Sequence, residues 1–120
     1  MNETELEEIL KGHKLWLDGK DGGVRANLSG ADLSDATLSG ADLIDADLPH
    51  RFISVSLIGS RKGMTTYSFE YDKIWCGCFT GTLKEFAAKV RVEYPDKTNI
   101  HRIEYDGFIA MIRKIRRATA

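Results

Sequence analysis

Arginine side chains near the C-terminus are the residues whose type and spacing best suit a chemical role. The pattern of residues 99–117 predicts a helix on which Arg102, Arg113 and Arg117 lie with Asp106, opposite an apolar stripe. Arg113 and Arg117 are like charges about one turn apart, which costs roughly 0.2–0.5 kcal/mol. An arginine fork binds phosphate and can stack on a nucleobase. The spacing therefore indicates either a bound anion or cations that stabilise a helix C-terminus.

Arg61 and Lys62 form a second basic group, in the sequence GSRKG at residues 59–63. Glycines at both ends predict a tight turn between strands, which is either a solvated hairpin tip or a loop that holds a ligand. A nucleotide pocket would need aromatic rings for the base as well as guanidinium groups for the phosphates. The candidate rings are Tyr67, Trp75, Phe79, Phe86 and Tyr94.

Histidine and cysteine spacing predicts neither a metal site nor a catalytic centre. The histidines fall in different predicted elements, and Cys76 and Cys78 supply at most two thiolate ligands. On a single strand these two thiols would share one face, as small buried apolar residues. The sequence contains no hydrolase elbow or zinc-protease motif. We therefore expect a protein that is not an enzyme and has no catalytic residue, metal or cofactor.

Charge separates along the chain of 120 residues. Residues 1–50 carry 11 acids and 4 bases, whereas residues 51–120 carry 7 acids and 13 bases. The formal net charge of −1 is too neutral for a dedicated duplex-DNA binder. No apolar run approaches the roughly 20 residues of a membrane span, and the acidic start does not resemble a signal peptide. These features predict a cytoplasmic protein that binds neither membranes nor duplex DNA.

Three consecutive segments must position the basic side chains, and together they predict one α+β domain. Residues 1–23 predict a helix over 3–17, with a capping box of Thr4 and Glu7, followed by a loop. Residues 24–50 hold a short repeat. Residues 51–120 predict the order β-β-β-α-α, an antiparallel meander backed by two helices.

The last segment has clear strand and helix signals. Alternation predicts strands at 52–58, 65–71 and 74–79. Thr82 and Glu85 form a capping box for the first of the two helices. The second helix has an apolar stripe that consists of Ile100, Ile103, Phe108, Met111, Ile112 and Ile115.

The segment ANLSGADLSDATLSGADLIDADL, residues 26–48, repeats every five positions, a period that fits neither helix nor strand. It resembles the pentapeptide-repeat family, which implies a right-handed square β-helix with inward-pointing leucines and four repeats per coil. Five repeats would then form a partial β-helix of about one and a quarter coils, whereas a solenoid usually needs at least about three units. The segment must therefore rest on the meander or on another subunit, and we expect a docking edge.

A second resemblance covers more of the chain. The sequences HKLWLDGKDGGVRANLSGADL (13–33) and IGSRKGMTTYSFEYDKIWCGCFTGTLKEFAAKV (58–90) resemble small phage proteins of the first family of anti-Thoeris sponges. The resemblance implies a non-enzymatic anti-defence protein that sequesters cyclic ADP-ribose isomers in the host cytoplasm. It also implies a homo-oligomer, a dimer or a hexamer, with ligand pockets between subunits and with cyclic oligonucleotides as a further ligand class.

The same resemblance suggests roles for individual residues. It implies that the base is held between an aromatic ring and an arginine, for which Phe86 and Arg113 are the candidates. It implies that Arg25 and Arg61 bind phosphates or ribose and that Asn99 is a further polar contact. The alternative function is a protein-interaction module that inhibits a host protein through the repeat or the basic C-terminal helix.

Overall fold

The computed structural model describes residues 2–38, 41–56, 58–59 and 64–119, which form three α-helices and a four-stranded antiparallel sheet. Helix α1 precedes the repeat, and the sheet and the other two helices follow it. The elements are α1 (Glu3–Leu17), β1 (Phe52–Ser56), β2 (Met64–Ser68), β3 (Lys73–Cys76), β4 (Phe79–Gly81), α2 (Leu83–Glu93) and α3 (Ile100–Thr119). The strands pair in the order β1-β2-β3-β4. The α+β class, with a meander between an N-terminal helix and two C-terminal helices, is confirmed.

Helix α1 spans the predicted residues but has a different cap. Asn2 is the N-cap, and its side chain accepts a hydrogen bond from the Glu5 amide at 2.8 Å. The predicted capping box of Thr4 and Glu7 is therefore wrong, because the helix already begins at Glu3. An asparagine at this position satisfies one of the amides that the first turn leaves without a partner.

His13 joins α1 to both ends of the repeat. The side chain is fully buried, and its Nδ1 accepts a hydrogen bond from the Ala26 amide at 3.0 Å. Its Nε2 lies 2.7 Å from the Ile44 carbonyl oxygen, which can only accept. These partners assign the neutral tautomer that carries its proton on Nε2.

Backbone hydrogen bonds connect the end of the repeat to its own start. In each of four pentapeptides an alanine amide donates to the leucine carbonyl three residues earlier, at 3.0–3.1 Å, from Ala31 to Leu28, Ala36 to Leu33, Ala41 to Leu38 and Ala46 to Leu43. Asn27 then lies in a parallel bridge with Asp47, 20 residues later. Leu28 N donates to Asp47 O at 2.7 Å, and Asp47 N donates to Ala26 O at 3.0 Å. Each of these pentapeptides therefore contains one backbone turn, which the alanine–leucine hydrogen bond closes.

The leucines of the repeat form a buried core that α1 and the sheet cover. Leu28, Leu33, Leu38 and Leu43 are at most 5% exposed and pack with Leu6 of α1 and Trp75 of β3. Among the described residues, no Cα atom of α1 lies within 8 Å of one in another helix or strand, so the repeat separates α1 from the sheet. The leucines of the repeat therefore rest on this chain's own elements, and a docking role for the segment stays a prediction.

Polar side chains of β3 and of the turn that precedes it satisfy backbone groups of the repeat. Trp75 Nε1 donates to Ala36 O at 3.0 Å, and Lys73 Nζ donates to Ser34 O at 2.6 Å. The Tyr71 hydroxyl accepts a hydrogen bond from Leu33 N at 3.0 Å. Backbone groups of the repeat that are shielded from water thus acquire hydrogen-bond partners. This avoids the free-energy cost of leaving them unpaired.

Strand β3 is buried on both faces, and its length differs from the prediction. Ile74 and Cys76 pack toward the helices, whereas Trp75 packs against the repeat. The single strand predicted at 74–79 is wrong, because Gly77 adopts a φ of 58° and turns the chain into β4. Cys76 is buried and Cys78 is exposed in that turn, so the two thiols do not share a strand face.

The second core lies between the sheet and helices α2 and α3. The predicted capping box of Thr82 and Glu85 is confirmed at the start of α2. Tyr67 and Ile74 of the sheet are fully buried against the two helices. The helix residues buried in this core are Leu83, Phe86, Ala87, Val90, Tyr105, Phe108, Ile109 and Ile112.

Helix α3 is rotated relative to its predicted apolar stripe. Phe108 and Ile112 are buried as expected. Ile100, Ile103 and Met111 are instead 61%, 52% and 38% exposed. The predicted stripe is therefore wrong for these three residues.

Arg102 explains the rotation. It was expected on the polar face, but only 7% of its surface is exposed. Its Nη1 donates to Tyr94 O, the C-cap of α2, and its Nε donates to Asp106 Oδ2, both at 2.8 Å. The guanidinium thus satisfies a carbonyl beyond the end of α2, and this contact turns the Arg102 side of α3 inward.

We expect Trp75→Ala to lower the free energy of unfolding by about 3–5 kcal/mol, because it empties a buried site and leaves the Ala36 carbonyl without its donor. Urea unfolding followed by circular dichroism measures the change. Trp16→Ala is the matched control, because Trp16 is 39% exposed; it should cost about 1 kcal/mol or less. Equal losses at the two positions would contradict the role assigned to Trp75.

Candidate anion-binding site

A basic groove lies where the start of α2 meets the end of α3. Its volume is about 490 Å³, and it is lined by Asp72, Leu83, Lys84, Arg113, Arg116 and Arg117. The turn between β2 and β3 supplies Asp72, the first turn of α2 supplies Leu83 and Lys84, and the last turns of α3 supply the arginines. Four cations therefore surround one carboxylate.

Asp72 holds the three parts of the groove together. It has a φ of 50°, a left-handed conformation that aspartate tolerates better than most residues. Its Oδ1 accepts hydrogen bonds from the Tyr67 hydroxyl at 2.8 Å, from Arg116 Nη1 at 3.0 Å and from Leu83 N at 3.3 Å. Arg116 Nη1 also donates to the Tyr67 hydroxyl. The carboxylate is thus engaged within the protein.

The other three cations of the groove are Lys84, Arg113 and Arg117. Within the described part of the chain, Lys84, Arg113 and Arg117 form no ion pair. They lie near the N-terminal end of α2, where the helix dipole favours negative charge. The groove can therefore hold an anion by charge-assisted hydrogen bonds from planar guanidinium groups.

Arg113 is the predicted ligand residue that lies in this groove, whereas Arg25, Phe86 and Asn99 lie elsewhere. Arg25 is on the repeat side, where its Nη2 donates to Asp47 Oδ1 at 2.6 Å. Asn99 caps α3, since its Oδ1 accepts a hydrogen bond from His101 N at 2.9 Å. Arg61, with most of its turn, lies outside the described residues.

Phe86 is a core residue that also borders a second cavity. It is 3% exposed, with ring centroids 5.4 Å from those of both Phe79 and Tyr105. The cavity has a volume of about 400 Å³, and Lys89 and Cys78 are also among its lining residues. In one copy of the chain, Phe86 and Arg113 therefore line different cavities.

Sequence reasoning missed three members of the groove: Lys84, Asp72 and Arg116. A signal for Arg116 was present, because it follows the buried Ile112 by four residues and so lies on the flank of the buried face. The position of Asp72 had no comparable signal, since it depends on how the β2–β3 turn packs against the start of α2.

A serine, a histidine and a glutamate beside β1 and β2 are also connected by polar contacts. His50 Nε2 lies 2.8 Å from Ser68 Oγ, and His50 Nδ1 lies 2.8 Å from Glu70 Oε2. The order matches a hydrolytic triad, but Ser68 is fully buried and its hydroxyl accepts a hydrogen bond from Tyr71 N. A nucleophile must reach its substrate, so we interpret this cluster as packing. The register that pairs Phe52 with Ser68 places His50 opposite Glu70.

Neither a metal-binding cluster nor a membrane-spanning helix is present among the described residues. In residues 2–38, 41–56, 58–59 and 64–119, no group of three histidine, cysteine or acidic side chains is arranged to hold a metal ion. None of the helices described there combines the length and apolar character needed to cross a membrane.

Comparison with known proteins supports the repeat. The family model described as "Pentapeptide repeats (8 copies)" matches residues 24–50, the boundaries that the sequence predicts. The match covers less than a quarter of the 120 residues. Neither the curated proteins nor the solved structures gave a match.

The contacts of Tyr67 predict that its hydroxyl ionises at a higher pH than that of an ordinary tyrosine. Burial, with the hydrogen bond and charge of Asp72, raises the pKa of Tyr67 to about 12. Because the folded pKa lies above the unfolded value of about 10, this contribution to stability is complete below pH ~10 and is lost as the pH rises through ~12. Absorbance at 295 nm should show one tyrosine that ionises late.

Two variants test that assignment. Tyr67→Phe should remove the late step. Asp72→Asn keeps an oxygen acceptor and tolerates the positive φ, so it should lower the pKa of Tyr67 while the fold is retained. If the late ionisation persisted in Tyr67→Phe, it would belong to another tyrosine, and this result would contradict the prediction.

Proposed function

We propose that this protein binds a phosphate-bearing small molecule in the basic groove and holds it without transforming it. The observation that carries the proposal is the convergence of Lys84, Arg113 and Arg117, which form no ion pair with described residues, at the N-terminal end of α2. Cations at the end of α3 interact favourably with its helix dipole, but Arg113 and Arg117 are like charges at positions i and i+4 and repel each other. A bound polyphosphate would offset their mutual repulsion.

The ligand class that we propose is a cyclic nucleotide signal, with cyclic ADP-ribose isomers first and cyclic oligonucleotides second. The pyrophosphate of such a ligand is a compact double anion, and a groove of about 490 Å³ with arginine forks suits it. The resemblance to anti-Thoeris sponges supports the same class. On this proposal the protein is a phage anti-defence protein that sequesters the signal in the cytoplasm of the host.

The predicted ligand residues differ in how well they support the proposal. Arg113 lies in the groove and could contribute directly. Phe86 would have to become accessible before it could stack on a base, because its ring is buried between Phe79 and Tyr105. Arg25 would exchange Asp47 for a phosphate, and Asn99 would have to act from its position as the cap of α3.

We further propose that the repeat forms one coil of a right-handed square β-helix. Three observations support this proposal: four corner hydrogen bonds, a parallel bridge after 20 residues and inward-facing leucines. The coil would act as a packed platform between α1 and the sheet. Since its leucines are covered on both sides, a protein-interaction module that docks through the repeat is less well supported than ligand binding.

Isothermal titration tests the proposed function. Cyclic ADP-ribose isomers, cyclic di- and trinucleotides, and pyrophosphate are titrated in turn into the purified protein. Each arginine–phosphate contact is worth about 1.5–3 kcal/mol, so Arg113→Ala and Arg117→Ala should each weaken nucleotide binding by about 10- to 150-fold. Arg91→Ala is the matched control, an exposed arginine in the last turn of α2, and should leave the affinity unchanged.

Three results would contradict the proposal. Failure of all these nucleotides to bind would exclude the ligand class and favour the alternative, a protein-interaction module. Binding that is insensitive to Arg113→Ala and Arg117→Ala would exclude the groove. Release of a chemically altered ligand after heat denaturation would identify an enzyme, whereas recovery of intact ligand is the expected outcome.

A further inference from the structure

The turn between β3 and β4 carries both cysteines of the chain. Cys76 and Phe79 are opposite each other in the sheet, so Gly77 and Cys78 are the two central residues of the hairpin. Of these two residues only Gly77 has a positive φ, of 58°, which is the pattern of a type II′ turn with glycine in its first central position. The sequence Cys-Gly-Cys therefore occupies one tight turn.

The two thiols of this turn differ in their access to solvent. Cys76 is 5% exposed, and its Sγ accepts a hydrogen bond from Thr65 Oγ1 at 3.4 Å and lies 3.8 Å from the Tyr105 hydroxyl oxygen. Cys78 is exposed and belongs to neither of the two cores. Cysteine usually packs as a small buried hydrophobe, and an exposed cysteine keeps its reactivity without that packing. Cys78 is thus the thiol that a reagent in solution reaches first.

The two cysteines are close enough to be joined to each other. Their Cα atoms are separated by two virtual bonds of about 3.8 Å, and in a tight turn such atoms lie roughly 5–7 Å apart. Disulfides usually join Cα atoms that are about 4.4–6.8 Å apart. Both residues also line the cavity of about 400 Å³ that Phe86 borders. An exposed thiol and a buried thiol therefore meet at one cavity.

A disulfide in this turn would be labile and would not act as a structural cross-link. A disulfide stabilises a fold most when it closes a long loop, and here only Gly77 lies between the cysteines. A bond to Cys78 also takes the Cys76 Sγ out of its contacts with Thr65 and Tyr105. Strained or exposed disulfides are more readily reduced, and they are the ones that serve labile or regulatory roles.

We propose that Cys76 and Cys78 form a reversible thiol–disulfide site that is oxidised by low-molecular-weight disulfides such as oxidised glutathione. The Cys78 thiolate attacks one sulfur of the glutathione disulfide, forms a mixed disulfide and releases one glutathione thiolate. The Cys76 thiolate then attacks the Cys78 sulfur, closes the bond between the two residues and releases the second glutathione. Two electrons pass from the protein to glutathione, and the two thiol protons end on the two glutathione molecules.

Closure of the disulfide changes the wall of the cavity beside Phe86, because Cys76, Cys78 and Phe79 all line it. The basic groove shares no lining residue with this cavity. The thiol–disulfide site therefore requires no bound nucleotide and stands independently of the proposed function. Failure of nucleotide binding would leave the site intact, and the reverse also holds.

Mass spectrometry of the intact protein tests the site. The reduced protein is incubated with oxidised glutathione near neutral pH and quenched with acid, and its free thiols are alkylated with N-ethylmaleimide. We expect the unsubstituted protein to lose two hydrogen atoms, to take up no alkylating group and to return to the dithiol in excess reduced glutathione. Cys76→Ser should instead retain one glutathione at Cys78. Cys78→Ser should react at least about 10-fold more slowly than Cys76→Ser, because its remaining thiol is buried.

Lys20→Cys in a Cys78→Ser background is the matched control. It keeps two thiols but moves the exposed one to the loop after α1, which the repeat separates from the sheet. This control should accept glutathione as a mixed disulfide and keep it, because Cys76 cannot reach the new position. Circular dichroism checks that each variant is folded.

Three results would overturn the proposal. A mixed disulfide that persists in the unsubstituted protein would show that Cys76 does not displace glutathione from Cys78. A disulfide between two molecules, or two free thiols that survive oxidised glutathione, would show that the turn does not close. Loss of glutathione from the Lys20→Cys control at the rate of the unsubstituted protein would show that closure does not depend on the turn.

Discussion

The need to cover the buried leucines of the repeat on both sides organises the rest of the structure. In a solenoid the next coil covers the leucines of each coil, whereas the backbone of this repeat meets its own start once, at the bridge between Asn27 and Asp47. Leu6 of α1 and Trp75 of β3 take the place of those neighbours. Because Trp75 must face the repeat, the sheet has an apolar residue on the side that many antiparallel sheets leave to solvent.

The same requirement explains why the helices pack as they do. With the repeat on one face of the sheet, Tyr67, Ile74 and Cys76 on the other face must be buried by α2 and α3. The β2–β3 turn then meets the start of α2, and Asp72 joins them through the Leu83 amide and the Tyr67 hydroxyl. Arg116 of α3 completes this cluster. The groove is thus built on groups that the fold already holds in place, which suits the binding of a rigid anion.

Local signals in the sequence were sufficient for some features of this fold. The alanine–leucine period identified residues 24–50, and Thr82 with Glu85 identified the start of α2. Signals failed where a distant contact decides the outcome. The apolar residues around Gly77 favour one continuous strand, and only the pairing of Cys76 with Phe79 reveals two. The rotation of α3 depends on the bond from Arg102 to the carbonyl that ends α2, which helical periodicity cannot foresee.

The candidate site likewise combines residues that a local sequence signal indicates with residues that only distant contacts bring there. Arginine spacing pointed to Arg113 and Arg117 and left both a bound anion and a stabilised helix C-terminus open, whereas Lys84 and Asp72 reach the groove from a different helix and from a turn. Phe86 and Arg113 were paired by resemblance, and a single copy of the chain places them in different cavities. Side chains that converge from three elements are a property of the tertiary packing, so no pattern within one segment could reveal them.

Helix α3 departs from the rules of a stable surface helix in three ways, and all three departures are on surfaces that the core does not use. Gly107 lowers helix propensity, Ile103 and its neighbours expose apolar area, and Arg113 repels Arg117. Each cost is small beside the burial of Phe108 and Ile112, so the helix tolerates them. Sequences usually conflict with local rules where function imposes a second demand. The conflicts on α3 concern a glycine, exposed apolar area and positive charge, and the proposed anion would offset the last of these.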